Sequence, residues 1–280
     1  MTATDKALRI PTSLGSLHVR VVGSGPPAVL WHSMFVDSTS WDRVAGELAR
    51  HRTLHLVDAP SAGRSDALAQ ATDIAGCAAA ATDLLAALDV SGVDWVGNAW
   101  GGHVGMQLAA TQDIMIRSLV AISAPTHPID AGLRRKVRAL APLYRLFGPR
   151  GLPRRAIEDT LFTDRTRADD REALELLKDS MRRTSNVAMV RAIETAILNR
   201  TDLSWAARQI TCPTLFVTTD DRGEWTPDEA RAVAERMVDA REVTISGARV
   251  VPAIERPAET AAAITAFWNA RGVRVRADTV

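Results

Sequence analysis

Short apolar runs alternate with amphipathic stretches along most of this chain, a pattern typical of an α/β protein. The continuously apolar runs 28–31 and 119–122 have the composition of strands buried on both faces of a sheet. Apolar residues recur at helical spacing in 41–50 and in the alanine-rich stretch 73–88. Further strands are predicted over 17–22, 53–57, 93–96, 214–218 and 242–245, and further helices over 102–110, 227–238 and 258–268.

The pattern changes between residues 126 and 205, where no strand is predicted and arginine-rich helices are expected over 131–144, 169–183 and 187–199. This stretch holds sixteen Lys and Arg against eleven Asp and Glu. Such an excess favours a solvated helical surface, with an anionic or carbonyl-rich ligand as the alternative.

Composition excludes several classes of function. The chain has 280 residues, 46% of them hydrophobic, and a net charge of +1, so nothing directs it to nucleic acid or to a membrane surface. No run approaches the ~20 apolar residues of a membrane span, and the N-terminus lacks a signal-like apolar stretch. Cys77 and Cys212 have no metal-like or disulfide-like spacing. We therefore expect a cytoplasmic protein with neither metal nor cofactor.

The segment from Gly97 to Gly102 joins a predicted strand to a predicted helix. Its frame is Gly-x-Ser-x-Gly, the sharp turn that exposes a nucleophilic serine, but the central residue is Ala99. A methyl group cannot attack a carbonyl, so the turn is predicted without its nucleophile.

Several segments in order resemble the α/β-hydrolase family over nearly the whole chain. The stretch 29–34 is similar to the family's oxyanion loop with Ser33 in place of a glycine, and 57–65 is similar to its Asp-x-x-Gly-x-Gly-x-Ser loop. The resemblance implies an α/β-hydrolase fold with a mostly parallel eight-stranded sheet and a helical cap inserted after strand 6. It divides the chain into a core domain of 1–125 and 206–270, a cap of 126–205 and a flexible tail of 271–280.

The resemblance also implies a dismantled catalytic triad. The histidine position falls on Val250, and the surviving acid is Asp221, with Asp220 as the alternative. The backbone N–H groups of Trp100 and Met34 occupy the family's oxyanion donor positions. His32 is a candidate catalytic residue, and His103 is expected to pack below the sheet. Candidate ligand-binding residues are Ser33, Asn98, His127, Trp225 and Arg249, of which the last is also placed to pair with Asp221.

Two vacant triad positions beside an intact oxyanion site predict a non-hydrolytic enzyme. It would act on a small apolar or carbonyl-containing molecule by cyclisation, pericyclic or lyase-type chemistry in specialised metabolism, through proximity and hydrogen bonds. A ligand-binding pseudoenzyme and a serine hydrolase inactivated by an engineered Ser→Ala change at position 99 are the alternatives. The expected partner is a small molecule, and a homodimer is left open.

Overall fold

The computed structural model describes residues 6–90, 92–112 and 115–277, with side chains as far as residue 270. The strands are β1 Lys6–Thr12, β2 Gly15–Val22, β3 Pro27–Trp31, β4 Thr53–Val57, β5 Val93–Asn98, β6 Ile116–Ile122, β7 Thr214–Thr219 and β8 Ala240–Ile245. The helices are α1 Asp42–Leu48, α2 Ile74–Ala87, α3 Trp100–Thr111, α4 Ala131–Phe147, α5 Gly151–Leu161, α6 Asp164–Asp169, α7 Arg171–Arg183, α8 Asn186–Ile193, α9 Ser204–Gln209, α10 Pro227–Ala234, α11 Pro252–Glu255 and α12 Pro257–Ala277.

The strands form one eight-stranded sheet in the order β1-β2-β4-β3-β5-β6-β7-β8. β1 and β2 pair antiparallel, as do β2 and β4, and every other neighbouring pair runs parallel. This arrangement is the predicted α/β-hydrolase fold. Because the central strands are parallel, their carboxyl ends meet at one edge, which is where such sheets place their sites.

Helices cover both faces of the sheet, so its central strands are buried throughout. On one face Trp31 and Trp95 stack with ring centroids 5.7 Å apart, in the core that also contains residues of α2 and α3. On the other face Trp41 and Trp268 pack in a second core that contains residues of α1 and α12. This two-sided burial explains why the strands read as continuous apolar runs.

Helices α4 to α8 follow β6 and lie over the carboxyl end of the sheet, and polar contacts tie them to the core. Arg43 of α1 binds Asp170, which precedes α7, at 2.6 Å, and Arg183 of α7 pairs with the buried Asp37. Arg191 of α8 donates to the Leu68 carbonyl at 2.7 Å. We call these helices the cap, while the exact division into core and cap domains stays a prediction.

Three features differ from the sequence-based picture. The strand β1 lies at the sheet edge and is mostly exposed, so it carries no apolar signal. The short helices α5, α6, α9 and α11 were also not predicted. Helix α12 continues to Ala277 and so enters the predicted tail of 271–280. Of this tail, the structure describes only the backbone of residues 271–277. No helix among the described residues is long and apolar enough to cross a membrane.

The buried carboxylate of Asp94 in β5 joins β6 and the residue that precedes β4 at the amino end of the sheet. It accepts hydrogen bonds from Arg52 at 2.6 Å, from Arg117 at 2.6 Å and from the Ser118 hydroxyl at 2.6 Å. Burial alone would raise the pKa of Asp94, but the bonds from Arg117 and Ser118 outweigh it and hold the pKa below its ordinary value. The ionised form is therefore the one that the fold stabilises.

We expect Asp94→Asn to lower the free energy of unfolding by about 3 kcal/mol, because it leaves the two arginines without their charge partner. The pKa of Asp94 is lower in the folded than in the unfolded chain. Its contribution is thus fully present above about pH 4 and is lost as the pH falls through the folded-state value. Urea unfolding at pH 7 and pH 3 measures both effects. The control is Asp228→Asn on the surface, and equal losses in the two variants would contradict the role of Asp94.

Candidate active site

Ala99 forms the sharp turn between β5 and α3 at the carboxyl edge of the sheet. Its backbone angles are φ 46° and ψ −101°, a conformation that costs a non-glycine residue about 1–2 kcal/mol. The turn is held by an Ala99 N–H bond to the Ile122 carbonyl at 2.7 Å and by the bond from the His103 N–H to the Ala99 carbonyl at 3.0 Å. The strained geometry of a nucleophile turn is thus kept although its side chain is a methyl group.

The glycines of the turn are required by close packing. A side chain at Gly97 would overlap the backbone of Gly101, and one at Gly101 would overlap the Trp31 carbonyl. A side chain at Gly102 would press on the Ala124 methyl group. These contacts press the start of α3 against β3 and β5, which fixes where the first helical N–H group points.

Two backbone N–H groups, one at this turn and one in the loop after β3, are the candidate donors to a carbonyl oxygen. Trp100 is the first residue of α3, so its N–H has no partner within the helix. Met34 lies in the loop after β3, and neither N–H donates a hydrogen bond within the described part of the chain. Both residues line the same cavity. The partial positive charge at the start of a helix adds to their attraction for a developing oxyanion.

His32 serves the structure of this loop and not its chemistry. Its Nε2 accepts from the Ala59 N–H at 2.9 Å, so Nδ1 carries the proton and donates to the Ser33 carbonyl at 2.6 Å. Burial lowers the pKa of His32 despite the nearby carboxylates, which keeps the ring neutral at pH 7. Because both ring nitrogens of His32 already make hydrogen bonds within the protein, neither is available for the catalytic role that the sequence suggested. Ser33 itself is buried and lines the cavity.

Val250 stands beside Ala99 in the cavity wall, at the position where the family resemblance expects the histidine. Its carbonyl accepts from Asn98 Nδ2 at 2.8 Å, and its N–H donates to the Leu161 carbonyl in the cap at 3.2 Å. Asn98 also donates to the Ile122 carbonyl at 3.2 Å. The Asn98 amide therefore joins the end of β6 to the loop after β8, and the residue does not line the cavity, which corrects its expected role in ligand binding.

Arg249 is the partner of the residual acid. Its side chain is 3% exposed, and its guanidinium binds Asp221 at 2.9 Å and Asp164 of α6 at 3.4 Å. It also donates to the Asp159 carbonyl at the end of α5. The acid that would orient a histidine thus neutralises a buried arginine, and this arginine links β8 to the cap. Asp220, the alternative acid, accepts from the Gly247 N–H at 2.8 Å instead.

The site opens into a cavity of about 170 Å³ between the sheet edge and the cap. Its lining is mainly apolar: Trp225 forms part of the core side, and Val137, Ile157 and Ile193 belong to the cap. A cavity of about 150 Å³ is enough to hold benzene, so this one accepts an apolar group of at least that size. His127 does not line the cavity, which corrects its expected role there, since its Nδ1 faces the Pro128 carbonyl.

Three polar groups on the cavity wall were missed by the sequence-based assignment. His103 lines the cavity, contrary to expectation, and its Nε2 donates to the Pro125 carbonyl at 3.1 Å, so the lone pair is on Nδ1. Burial, aided by Arg200, puts the pKa of His103 well below its usual value, so the ring is neutral. His103 Nδ1, Ser123 Oγ and Tyr144 Oη are buried without a partner among the described residues. These residues line the cavity, but their unpartnered polar atoms are themselves enclosed and have almost no accessible surface.

Comparison with known proteins places these features in a family. The model of the alpha/beta hydrolase family matches residues 28–263. An uncharacterised protein of Mycobacterium tuberculosis is 35% identical over 105 residues, which is 38% of this chain and 31% of the relative. The match thus spans about a third of that relative's length. The pimeloyl-(acyl-carrier protein) methyl ester esterase of Xanthomonas campestris is 29% identical over 266 residues, covering 90% of this chain and 98% of the esterase.

Solved structures agree with the fold. A thermophilic esterase from Thermogutta terrifontis superimposes with a TM-score of 0.85 at 20% identity, over 94% of this chain and 98% of the esterase. The enol-lactonase from Burkholderia xenovorans superimposes with a TM-score of 0.84 at 21% identity. The match covers 94% of this chain and 100% of the lactonase. At these identities the likeness shows the fold alone.

The names of the matching proteins overturn one expectation. The Xanthomonas relative, which is matched over nearly its full length, is named as a methyl ester esterase. The non-hydrolytic, cyclase- or lyase-type function predicted from Ala99 and Val250 is therefore wrong. Water can attack an ester carbonyl directly, so the absence of a side-chain nucleophile does not by itself exclude hydrolysis.

We expect Arg249→Met to lower the free energy of unfolding by about 2 kcal/mol, since it removes charged hydrogen bonds from a buried position. The loss should be local, with faster amide hydrogen exchange in α5 and α6, where Asp159 and Asp164 lie. Arg222→Met is the matched control, because Arg222 pairs with the same Asp164 and Asp221 but is exposed. It should cost less than about 1 kcal/mol. Unchanged exchange in α5 and α6 of Arg249→Met would contradict the link.

Proposed function

Because this chain belongs to the α/β hydrolase family, we propose that it hydrolyses a carboxylic ester with an apolar acyl group by direct attack of water. The observation that carries the proposal is the apolar cavity of about 170 Å³ that Trp100 and Met34 line, since their N–H groups have no partner among the described residues. The acyl group would fill the cavity and the carbonyl oxygen would accept from both N–H groups. The Xanthomonas relative, named as a methyl ester esterase, supports this substrate class.

In this mechanism no covalent intermediate forms at position 99. Water adds to the carbonyl carbon, the negative charge develops on the carbonyl oxygen, and the two N–H groups stabilise it. The tetrahedral intermediate then expels the alcohol, and a proton passes from the added water to the leaving oxygen. In serine hydrolases, loss of the nucleophile costs roughly 10⁶ in turnover, while binding and the oxyanion site alone retain roughly 10³–10⁴ over water. We therefore expect slow but real catalysis.

His103 and Ser123 are the groups that we assign to the attacking water. His103 lies one helical turn after Ala99, so its side chain is on the same face of α3 and leans towards the start of the helix. Its Nδ1 and the Ser123 Oγ have no partner among the described residues but are enclosed, so in this proposal a small side-chain rearrangement brings them to the bound water. A neutral histidine that is a weak base orients water more than it deprotonates it, in keeping with a slow reaction.

We expect p-nitrophenyl butyrate to be hydrolysed above the buffer rate with no burst of nitrophenol and no labelling by a fluorophosphonate probe. The cavity variant Ala141→Phe should lose this activity, because Ala141 lines the cavity, while Ala131→Phe on the exposed start of α4 should keep it. The double variant Ala99→Ser, Val250→His should acquire labelling. Binding of the ester without turnover would overturn the proposal, and stoichiometric labelling of the unaltered chain would overturn its non-covalent route.

Two further expectations accompany this proposal. We propose a small-molecule ester as the partner of the cavity, with no nucleic acid involved. The cytoplasmic location and a homodimer both stay predictions, which cell fractionation and sedimentation of the purified protein would test.

A further inference from the structure

One stretch of the cap carries charge of a single sign. Between Ala131 and Ile157 the chain has eight basic residues and no acidic one. This stretch forms α4, the connection to α5, and the first half of α5. Six of the eight basic residues are exposed: Arg135, Lys136, Arg138, Arg145, Arg150 and Arg155.

These six side chains are not neutralised by the protein. Arg154 in the same stretch pairs with Glu158 at 2.6 Å, but none of the six makes an ion pair within the part of the chain that the structure describes. The exposed Arg222, by contrast, pairs with Asp164. The positive potential of α4 and α5 is thus available to an external partner.

The same stretch exposes large apolar side chains. Leu146 is 74% exposed, Phe147 is 60% exposed and Leu152 is 67% exposed, and all three lie where α4 connects to α5. Exposed leucine and phenylalanine are common singly, but three within seven residues form a patch that needs a partner. We call the three apolar residues and the six basic ones the basic tip.

The members of the basic tip are spread over the exposed half of α4 and the adjoining side of α5. Arg135, Arg138 and Arg145 recur at helical spacing, so they form one stripe of α4 that ends beside Leu146. Lys136 of α4 and Leu152 and Arg155 of α5 line a single surface groove, which brings the two helices onto the same side of the cap.

The basic tip also adjoins the cavity. Lys136, Leu140 and Ala156 border both the surface groove and the cavity, so the apolar interior lies directly beneath the groove.

We propose that the basic tip docks on an anionic lipid membrane. Leu146, Phe147 and Leu152 enter the interface between headgroups and acyl chains, and the six basic side chains bind lipid phosphates. This surface goes beyond the proposed hydrolysis and does not depend on it. The proposed membrane surface replaces the expectation of no membrane partner. That expectation rested on the net charge of +1, which does not show how the charges are distributed along the chain.

Charge and shape favour a lipid surface over protein partners. A second copy joined through this face would set arginines against arginines, which is unfavourable. An acidic macromolecule would satisfy the arginines but would leave the three apolar side chains in water. An anionic membrane satisfies both sets at once.

The apolar part is tested by sedimentation with vesicles of phosphatidylglycerol or of phosphatidylcholine. We expect the unaltered protein to bind phosphatidylglycerol vesicles, more weakly as salt is raised, and to leave phosphatidylcholine vesicles unbound. The triple variant Leu146→Asp, Phe147→Asp, Leu152→Asp should lose binding. The control Val238→Asp changes an isolated side chain that is 80% exposed outside the cap, and it should bind like the unaltered protein.

The basic part is tested by the triple variant Arg135→Gln, Arg138→Gln, Arg145→Gln. We expect it to bind phosphatidylglycerol vesicles about 100-fold more weakly. Its matched control is Arg64→Gln, Arg208→Gln, Arg236→Gln, which removes three exposed charges elsewhere and should change binding less than about fivefold. All substituted side chains are exposed, and thermal melting confirms that each variant folds.

Three results would overturn the proposal: no binding to phosphatidylglycerol vesicles at low salt, equal losses in the two arginine triples, or self-association that Leu146→Asp abolishes. Binding to poly-glutamate that survives all three aspartate changes would likewise assign the tip to an acidic macromolecule. None of these measurements involves turnover, so failure here and failure of the proposed hydrolysis are told apart.

Discussion

The contact between strand β5 and the start of helix α3 is the constraint on which the site depends. Gly97 and Gly101 let the two backbones touch, and Ala99 accepts a left-handed conformation so that the chain can turn between them. The direction of the Trp100 N–H follows from this contact and from nothing in the side chain at position 99. The oxyanion site that we propose is thus a property of the backbone and does not require a nucleophile at position 99.

The histidine loop shows a different kind of change. Val250 fills part of the cavity wall, and its neighbour Arg249 takes the acid Asp221 as an ion-pair partner. Burying the Arg249 charge without a carboxylate partner would cost several kcal/mol, roughly 3–5. The carboxylate of Asp221 therefore serves the stability of the fold. The carboxylate that would orient a histidine in a triad here pairs with Arg249, and Arg249 in turn contacts Asp164 and the Asp159 carbonyl of the cap.

Much of the fold could be predicted from the sequence, because parallel strands buried on both faces leave unbroken apolar runs such as 28–31 and 119–122. Strand β1 could not be, since one edge strand exposed to solvent has no such run. The turn at Ala99 was visible through its glycines. Ser123 was not, because it belongs to no motif and reaches the cavity only through the pairing of β5 with β6. The roles of His32 and Asn98 depend on contacts with distant loops, which spacing along the chain does not reveal.

The cavity wall is shared between two parts of the chain that are held together by separate polar contacts, among them Arg43 with Asp170 and Arg183 with Asp37. A molecule inside touches both parts and so acts as an additional link between them. By mass action, its concentration then raises the free energy needed to lift the cap from the sheet. Closure of the cap and binding of a ligand in the cavity are therefore coupled equilibria. A high ligand concentration would favour the closed cap, and a low one would make the cap easier to open.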